Sequence, residues 1–266
     1  MIRSATALVL SLALIALAGC SGGTGESYTG YMEGEFVFVG PVDSGHLKSL
    51  TVSEGDAATT GGKVFELDDS TETAALNAAT AKLEQAEASL TLSRLGLERA
   101  EQLLERGVVS QSRLDDARSA FDRDKAAAQA ARADVADAQT RLARRTVYAP
   151  VTGKVQEVYF RPGEFVGAGQ SVISILPPGN VKVRFYIPEP MRAALRTGDG
   201  ITVSCDGCPD GLTAKVRFIS QQAEYAPPVI FSREERSKQL YMVEATPDDR
   251  ARTLPVGQPV TVTVLP

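Results

Sequence analysis

The residues able to do covalent or metal chemistry are few, and their spacing points to structure more than to turnover. Cysteine occurs at Cys20, Cys205 and Cys208, the one histidine is His46, and there is no tryptophan. Cys205 and Cys208 bracket Asp206-Gly207 within the run Val203 to Gly211. In an exported chain, a pair around Asp-Gly reads as a small disulfide at a strand turn. Two alternatives stay open: a pair of free thiols, or a metal or redox pair. Zinc would need two further ligands, and His46 is remote in sequence. A redox motif would want the start of a helix, whereas this stretch has the composition of a turn between strands. No catalytic, metal or cofactor site is assigned, and the chain is read as a non-enzyme. The formal net charge of −5 argues against a nucleic-acid binder.

Cys20 belongs to a different chemistry. Residues 1–19 carry a positive start, Met1-Ile2-Arg3, then the apolar run Ala5 to Ala16, too short for a comfortable span, then Leu17-Ala18-Gly19. Followed by Cys20, this resembles a bacterial lipoprotein cleavage box, in which the cysteine becomes the acylated N-terminus. Several acyl chains would hold the protein on a membrane without a spanning helix. Residues 20–30 read as a flexible Gly/Ser tether. The expected location is the periplasm, anchored to the inner membrane. Ser21 keeps outer-membrane sorting open under the commonest rule.

The element that dominates the chain is residues 69–147. Leucines recur at Leu76, Leu83, Leu90, Leu97 and Leu104, one every seven residues. After a break at Arg106 to Ser110 the spacing resumes at Leu114, Phe121, Ala128, Val135 and Leu142. A seven-residue apolar repeat holds one seam of a helix toward a partner. Two equal runs around Gly107 make the partner the same chain folded back, with Leu104 facing Leu114 and Leu76 facing Leu142. Positions three after each leucine of the first run are small: Ala79, Ala86, Ser93, Ala100 and Gly107. The second run breaks that rule at Asp124 and Arg145. Asp69-Ser-Thr-Glu72 resembles a capping box, and Arg141, Arg144 and Arg145 suit a helix C-terminus. Each arm would be roughly 50 Å long.

The flanks of this hairpin repeat at an offset of 108 residues. Gly45, Gly55 and Gly61 match Gly153, Gly163 and Gly169, and Leu47, Leu50, Val52, Val64 and Leu67 match Val155, Val158, Phe160, Val172 and Ile175. Both copies read as short strands with Gly turns. Neither is long enough to bury a core alone, so residues 31–68 and 148–178 should pack together and bring the hairpin's two roots side by side.

These features together resemble the HlyD-like membrane fusion proteins, the periplasmic adaptors. The marks are the lipobox, the split halves, the inserted hairpin, the re-entry Tyr148-Ala-Pro-Val-Thr-Gly-Lys-Val155 and a β-rich C-terminal part. The fold implied is α+β and elongated: a split biotinyl/lipoyl-like β domain, an inserted antiparallel α-helical coiled-coil hairpin, then a β-barrel domain over 179–266. Carrier domains of that β fold hold biotin or lipoate on a lysine in the turn joining the halves. That turn here starts Glu66-Leu-Asp-Asp-Ser-Thr71, without lysine, so the resemblance implies a scaffold and no cofactor. Lys63 and Lys154 lie outside the turn.

The resemblance also implies a tip. Family members that engage TolC-type outer-membrane channels carry Arg-x3-Leu-x6-Ser there, and Arg99, Leu103 and Ser110 fit that spacing. Arg99 and Leu103 share a helix face off the leucine seam. Ser110 is equally a plausible N-cap of the second helix, and Gly107 the residue that ends the first. The partners implied are a TolC-type channel, an inner-membrane transporter and further copies of the chain in a hexameric ring. An ABC-type transporter is favoured by Ile219 to Ile230 followed by Ser232-Arg-Glu-Glu-Arg236. Two rival readings are a structural coiled-coil envelope lipoprotein and a biotin- or lipoate-carrier domain of an enzyme.

Overall fold

The computed structural model describes residues 26–225 and 239–264. The signal segment, Cys20, Ser21, most of the tether and the stretch 226–238 with Pro227-Pro228 lie outside the described residues. The chain divides into two compact units: Phe36–Pro177, and the segments up to Glu35 and from Pro178 onward. In order, the elements as far as Pro177 are β1 (Ser27–Gly34), β2 (Val37–Val39), β3 (Gly45–Leu50), β4 (Ala57–Ala58), β5 (Lys63–Leu67), α1 (Ser70–Glu105), α2 (Gln111–Ala143), β6 (Thr146–Tyr148), β7 (Gly153–Val158), β8 (Phe165–Val166) and β9 (Ile173–Leu176).

The repeat becomes a pair of interleaved four-stranded sheets, ordered β2-β9-β7-β4 and β6-β5-β3-β8. Replacing each strand of the first sheet by its counterpart in the other copy generates the second, so every sheet mixes both halves of the chain. Matching turns are closed by matching bonds. The Gly55 N–H donates to the Val155 carbonyl at 2.9 Å, and the Gly163 N–H to the Leu47 carbonyl at 2.7 Å. The Asp56 carboxylate accepts from the Ser53 N–H, and the Glu164 carboxylate from the Arg161 N–H. Leu47, Val64, Phe65 and Leu67 from one copy and Val155, Val172, Ile173 and Ile175 from the other fill one shared core. Each copy alone would leave its apolar face in water, which is why the split halves must reunite across the hairpin.

The second unit continues with β10 (Val181–Pro188), a short helix α3 (Glu189–Ala194), β11 (Gly200–Ser204), β12 (Leu212–Tyr225), β13 (Gln239–Pro247) and β14 (Pro259–Val264). With β1 they close a barrel in the order β1-β10-β13-β12-β11-β14. Met32, Val183, Phe185, Ile187, Ile201 and Val262 are fully buried, or nearly so. On the alternate residues of β10 and β13, Lys182 lies 2.5 Å from Glu244, and Arg184 lies 3.0 Å from the same carboxylate. Burial pushes the Glu244 carboxyl up, but the hydrogen bonds from Lys182 and Arg184 outweigh it and hold the group below the usual carboxylate range.

The barrel corrects one boundary. Residues 27–34 are neither tether nor lipoyl-like half: they form β1, paired with β10 and β14. Gly30 and Met32 point into the barrel. A Cβ at Gly30 would meet the Arg184 carbonyl at 2.6 Å, so this glycine permits close strand contact and is not tether composition. Between β11 and β12 the chain turns at Cys205 to Cys208, closed by the Cys208 N–H donating to the Cys205 carbonyl at 3.1 Å. The two Cα atoms are 5.2 Å apart and the sulfurs face each other within bonding reach. No cluster able to hold a metal occurs among the described residues, and His46 stands edge-on to Phe165, ring centroids 5.3 Å apart. Among the same residues no helix is long and apolar enough to cross a membrane.

Candidate docking site at the hairpin tip

Helices α1 and α2 form the antiparallel hairpin. Residues 76, 79, 83, 86, 90, 93, 97, 100 and 104 of α1 are all buried or half-buried, as are 114, 117, 121, 124, 128, 131, 135 and 138 of α2. The buried ones are alanines: Ala100, Ala128, Ala131 and Ala138. Small residues let the backbones approach and leave the leucines to close the seam from its edges. A half-buried leucine contributes about 1 kcal/mol, so the hairpin depends on the whole ladder and not on any one rung. The expected alignment sets Glu87 opposite residue 131 and Glu72 opposite residue 146. The cross-hairpin ion pairs run to Arg132 and Arg145, one residue away in each case.

At the far end the chain reverses in five residues. The Gly107 N–H donates to the Leu104 carbonyl at 2.8 Å and the Val108 N–H to the Leu103 carbonyl at 2.9 Å. Gly107 sits at φ +69°. This pair of bonds around a left-handed residue satisfies the last carbonyls of α1 and stops it. Ser110 then caps α2: its hydroxyl oxygen accepts the Arg113 N–H at 3.4 Å. The tip is therefore a shaped turn with both helix ends satisfied.

The structure brings Arg99 and Leu103 onto one exposed face. Arg99 donates its Nε to the Leu95 carbonyl at 3.0 Å, which lays the guanidinium along the helix. Among the described residues no side-chain ion pair involves Arg99. Leu103 is 38% exposed although its neighbour Leu104 turns into the seam. Ser110 lies across the turn from them, and its hydroxyl addresses its own helix. Two exposed leucines extend the same face and were not singled out in the sequence: Leu92 and Leu95. Their signal was available, since 92, 95, 99 and 103 follow helical spacing off the seam. Val108 on the turn is also largely exposed. A guanidinium flanked by leucines can fill an apolar groove while pairing with a carboxylate or carbonyl inside it.

At the other end, the expected capping box does not form. Asp69 makes no side-chain cap, because its carboxylate is taken by Lys48 at 2.7 Å. Asp68 accepts the Ser70 N–H instead, at 3.0 Å. Glu72 turns to Arg145 and not back to its own helix end.

Residues 75–144 match the family described as the α-helical hairpin domain of RND membrane fusion proteins. The hairpin is thus that of the membrane fusion proteins, and the split sheets and the barrel each have the fold of solved proteins of that name. A UPF0194 membrane protein of Acidithiobacillus ferridurans is 33% identical to it over 183 residues. That alignment covers 68% of this chain and 52% of the relative, so the chain spans about half the length of that protein. The membrane fusion protein Spr0693 from Streptococcus pneumoniae R6 shares the fold with a TM-score of 0.68 at 19% identity, over 90% of this chain and 98% of that one. MacA from Actinobacillus actinomycetemcomitans does so with a TM-score of 0.70 at 18% identity, over 91% and 79%.

Proposed function

We propose that the protein links an inner-membrane exporter to a TolC-type outer-membrane channel, with Arg99 and Leu103 as the channel-docking pair and Ser110 shaping the turn that presents them. The observation that carries this reading is Leu103, a leucine left exposed at the end of a hairpin whose other leucines close the seam or line the same face. An exposed apolar residue beside an arginine is what a docking anchor requires, and no intramolecular role accounts for it. Acylated Cys20 supplies the anchor, inner-membrane retention places it beside the pump, and a hexameric ring turns single hairpins into a conduit. No step is catalytic. An ABC-type pump is favoured by the polar run after Ile219, whereas the matched hairpin family is described by its RND adaptors. Co-purification with an ATPase or with a proton-driven pump decides between them.

The test is Leu103→Asp in the full, acylated protein. Export should fall to background while abundance, acylation and the far-UV spectrum stay those of the wild type. Normal export by that stably produced variant would refute the docking role.

A further inference from the structure

The 108-residue repeat is broken at one glycine pair, and the break lies where the hairpin joins the sheets. A Cβ at Gly153 would meet the backbone of Leu176, 2.5 Å from its carbonyl oxygen. Its counterpart Gly45 is not crowded by backbone: a Cβ there would make only ordinary contacts of 3.5 and 3.6 Å with the Leu67 side chain, and past Asp68 the chain leaves into α1. The space over Gly45 is instead filled by a guanidinium: a Cβ there would lie 2.9 Å from Nη1 of Arg145. That nitrogen donates to the Ser44 carbonyl at 2.9 Å, and Nη2 donates to the Glu72 carboxylate on the first turn of α1. Both partners of this ion pair are largely buried, with side chains 15% and 13% exposed. The Arg145 carbonyl in turn accepts the Leu67 N–H at 2.8 Å, at the last residue of β5. One residue thus touches the end of α2, the start of α1, the end of β5 and the entry to β3.

We infer that Arg145 is the positioning residue that fixes the angle of the hairpin on the split β body. Arginine suits the task because its planar fork holds two acceptors in fixed directions at once, which lysine cannot do. Lys48, reaching from β3 to Asp69 and Glu66, braces the same root from the α1 side. An arm of 36 residues is about 54 Å long, so a tilt of roughly 5° at the root moves the tip about 5 Å. The consequence for export rests on the adaptor reading; the angle itself is a property of the isolated chain.

The experiment measures that angle directly. Spin labels are placed by non-canonical amino acids at position 108 on the tip and position 156 on β7 of the full-length protein, and the distance distribution is recorded. A narrow distribution is expected for the wild type, at least a twofold broadening for Arg145→Ala and for Glu72→Gln, and an intermediate width for Arg145→Lys. Leu103→Asp should leave the distribution unchanged, which separates the root from the tip. Gly45→Ala crowds the seat of the guanidinium while making ordinary contact with Leu67, and should also broaden it, so the inference stays testable if Arg145→Ala does not fold. An unchanged width in folded Arg145→Ala, or in Gly45→Ala should the former not fold, would overturn the assignment. Export by Leu103→Asp bears on docking alone and leaves this measurement standing.

Discussion

The two ends of the hairpin are built differently although one heptad ladder runs between them. At the root, both helices are held by charge: Glu72 to Arg145, Asp69 to Lys48, and Arg145 again to a backbone carbonyl of the β body. At the tip, the bonds are local backbone bonds around Gly107, and Leu103 and Val108 stand out as exposed apolar side chains, with Leu92 and Leu95 continuing the face of Leu103 down the arm. Polar groups locked to each other specify a geometry within the chain. Apolar groups left exposed gain nothing until something outside covers them. The root therefore reads as the place where orientation is set, and the tip as the place where it is used.

The sharpest way to break this comparison is at the tip. A carboxylate at position 103 would be desolvated without a partner in any apolar groove, a cost of several kcal/mol. Export should be lost completely with no change in melting temperature. The reciprocal result belongs to the root. Arg145→Ala leaves Glu72 partly buried without its partner and should cost about 2–4 kcal/mol of stability, seen as a lowered denaturant midpoint. The repeat sharpens the contrast further. Gly153→Ala drives a Cβ into backbone and should cost about 1–3 kcal/mol, whereas Gly45→Ala is crowded by the end of a flexible arginine, its contacts with Leu67 being ordinary ones, and should cost less. Equal losses in the two glycine variants, measured by chemical denaturation, would mean that Arg145 does not occupy a seat of its own.

Smaller effects should follow from the barrel and the cap. Glu244 is held below its ordinary range in the folded state, so it contributes stability above its unfolded value near 4.5 that is lost as pH falls through its lower folded value. Melting temperature should drop below about pH 4, and Glu244→Gln should flatten that acid limb. Ser110→Ala removes the N-cap of α2 and should cost about 0.5–1 kcal/mol, while Ser110→Asp should retain it. If export follows the cap through these two variants, Ser110 acts by shaping the turn; if only serine supports export, its hydroxyl touches the partner.

Much of this architecture could be read from residue spacing, because two of its periods are strict. The leucine ladder gave the hairpin and its alignment to within a residue, and the 108-residue offset gave the reunion of the halves. What stayed hidden depends on residues far apart in the chain. Arg145 stood out as a large residue at a small position, but its reason lies in Ser44 and Gly45, about a hundred residues earlier. The capping box at Asp69 was plausible locally and lost to Lys48, a partner on β3. Strand β1 is hidden because it directly follows Gly-rich tether composition, and the alternation from Tyr28 to Met32 is short and interrupted by a glycine that the barrel requires. Exposed Leu92 and Leu95 form a legible stripe, but the seven-residue seam beside it is the stronger signal.

Strand β1 has a consequence for how the molecule matures. Its two neighbours, β10 and β14, begin at residues 181 and 259, so the first strand to emerge must wait for the last before the barrel can seal. In the unit from Phe36 to Pro177 the first strand, β2, likewise waits for the last, β9, but that unit is complete by residue 177. Vectorial delivery across a membrane would complete the arm and its platform first, leaving a lone sticky ribbon exposed for the interval, a natural client for a holding chaperone.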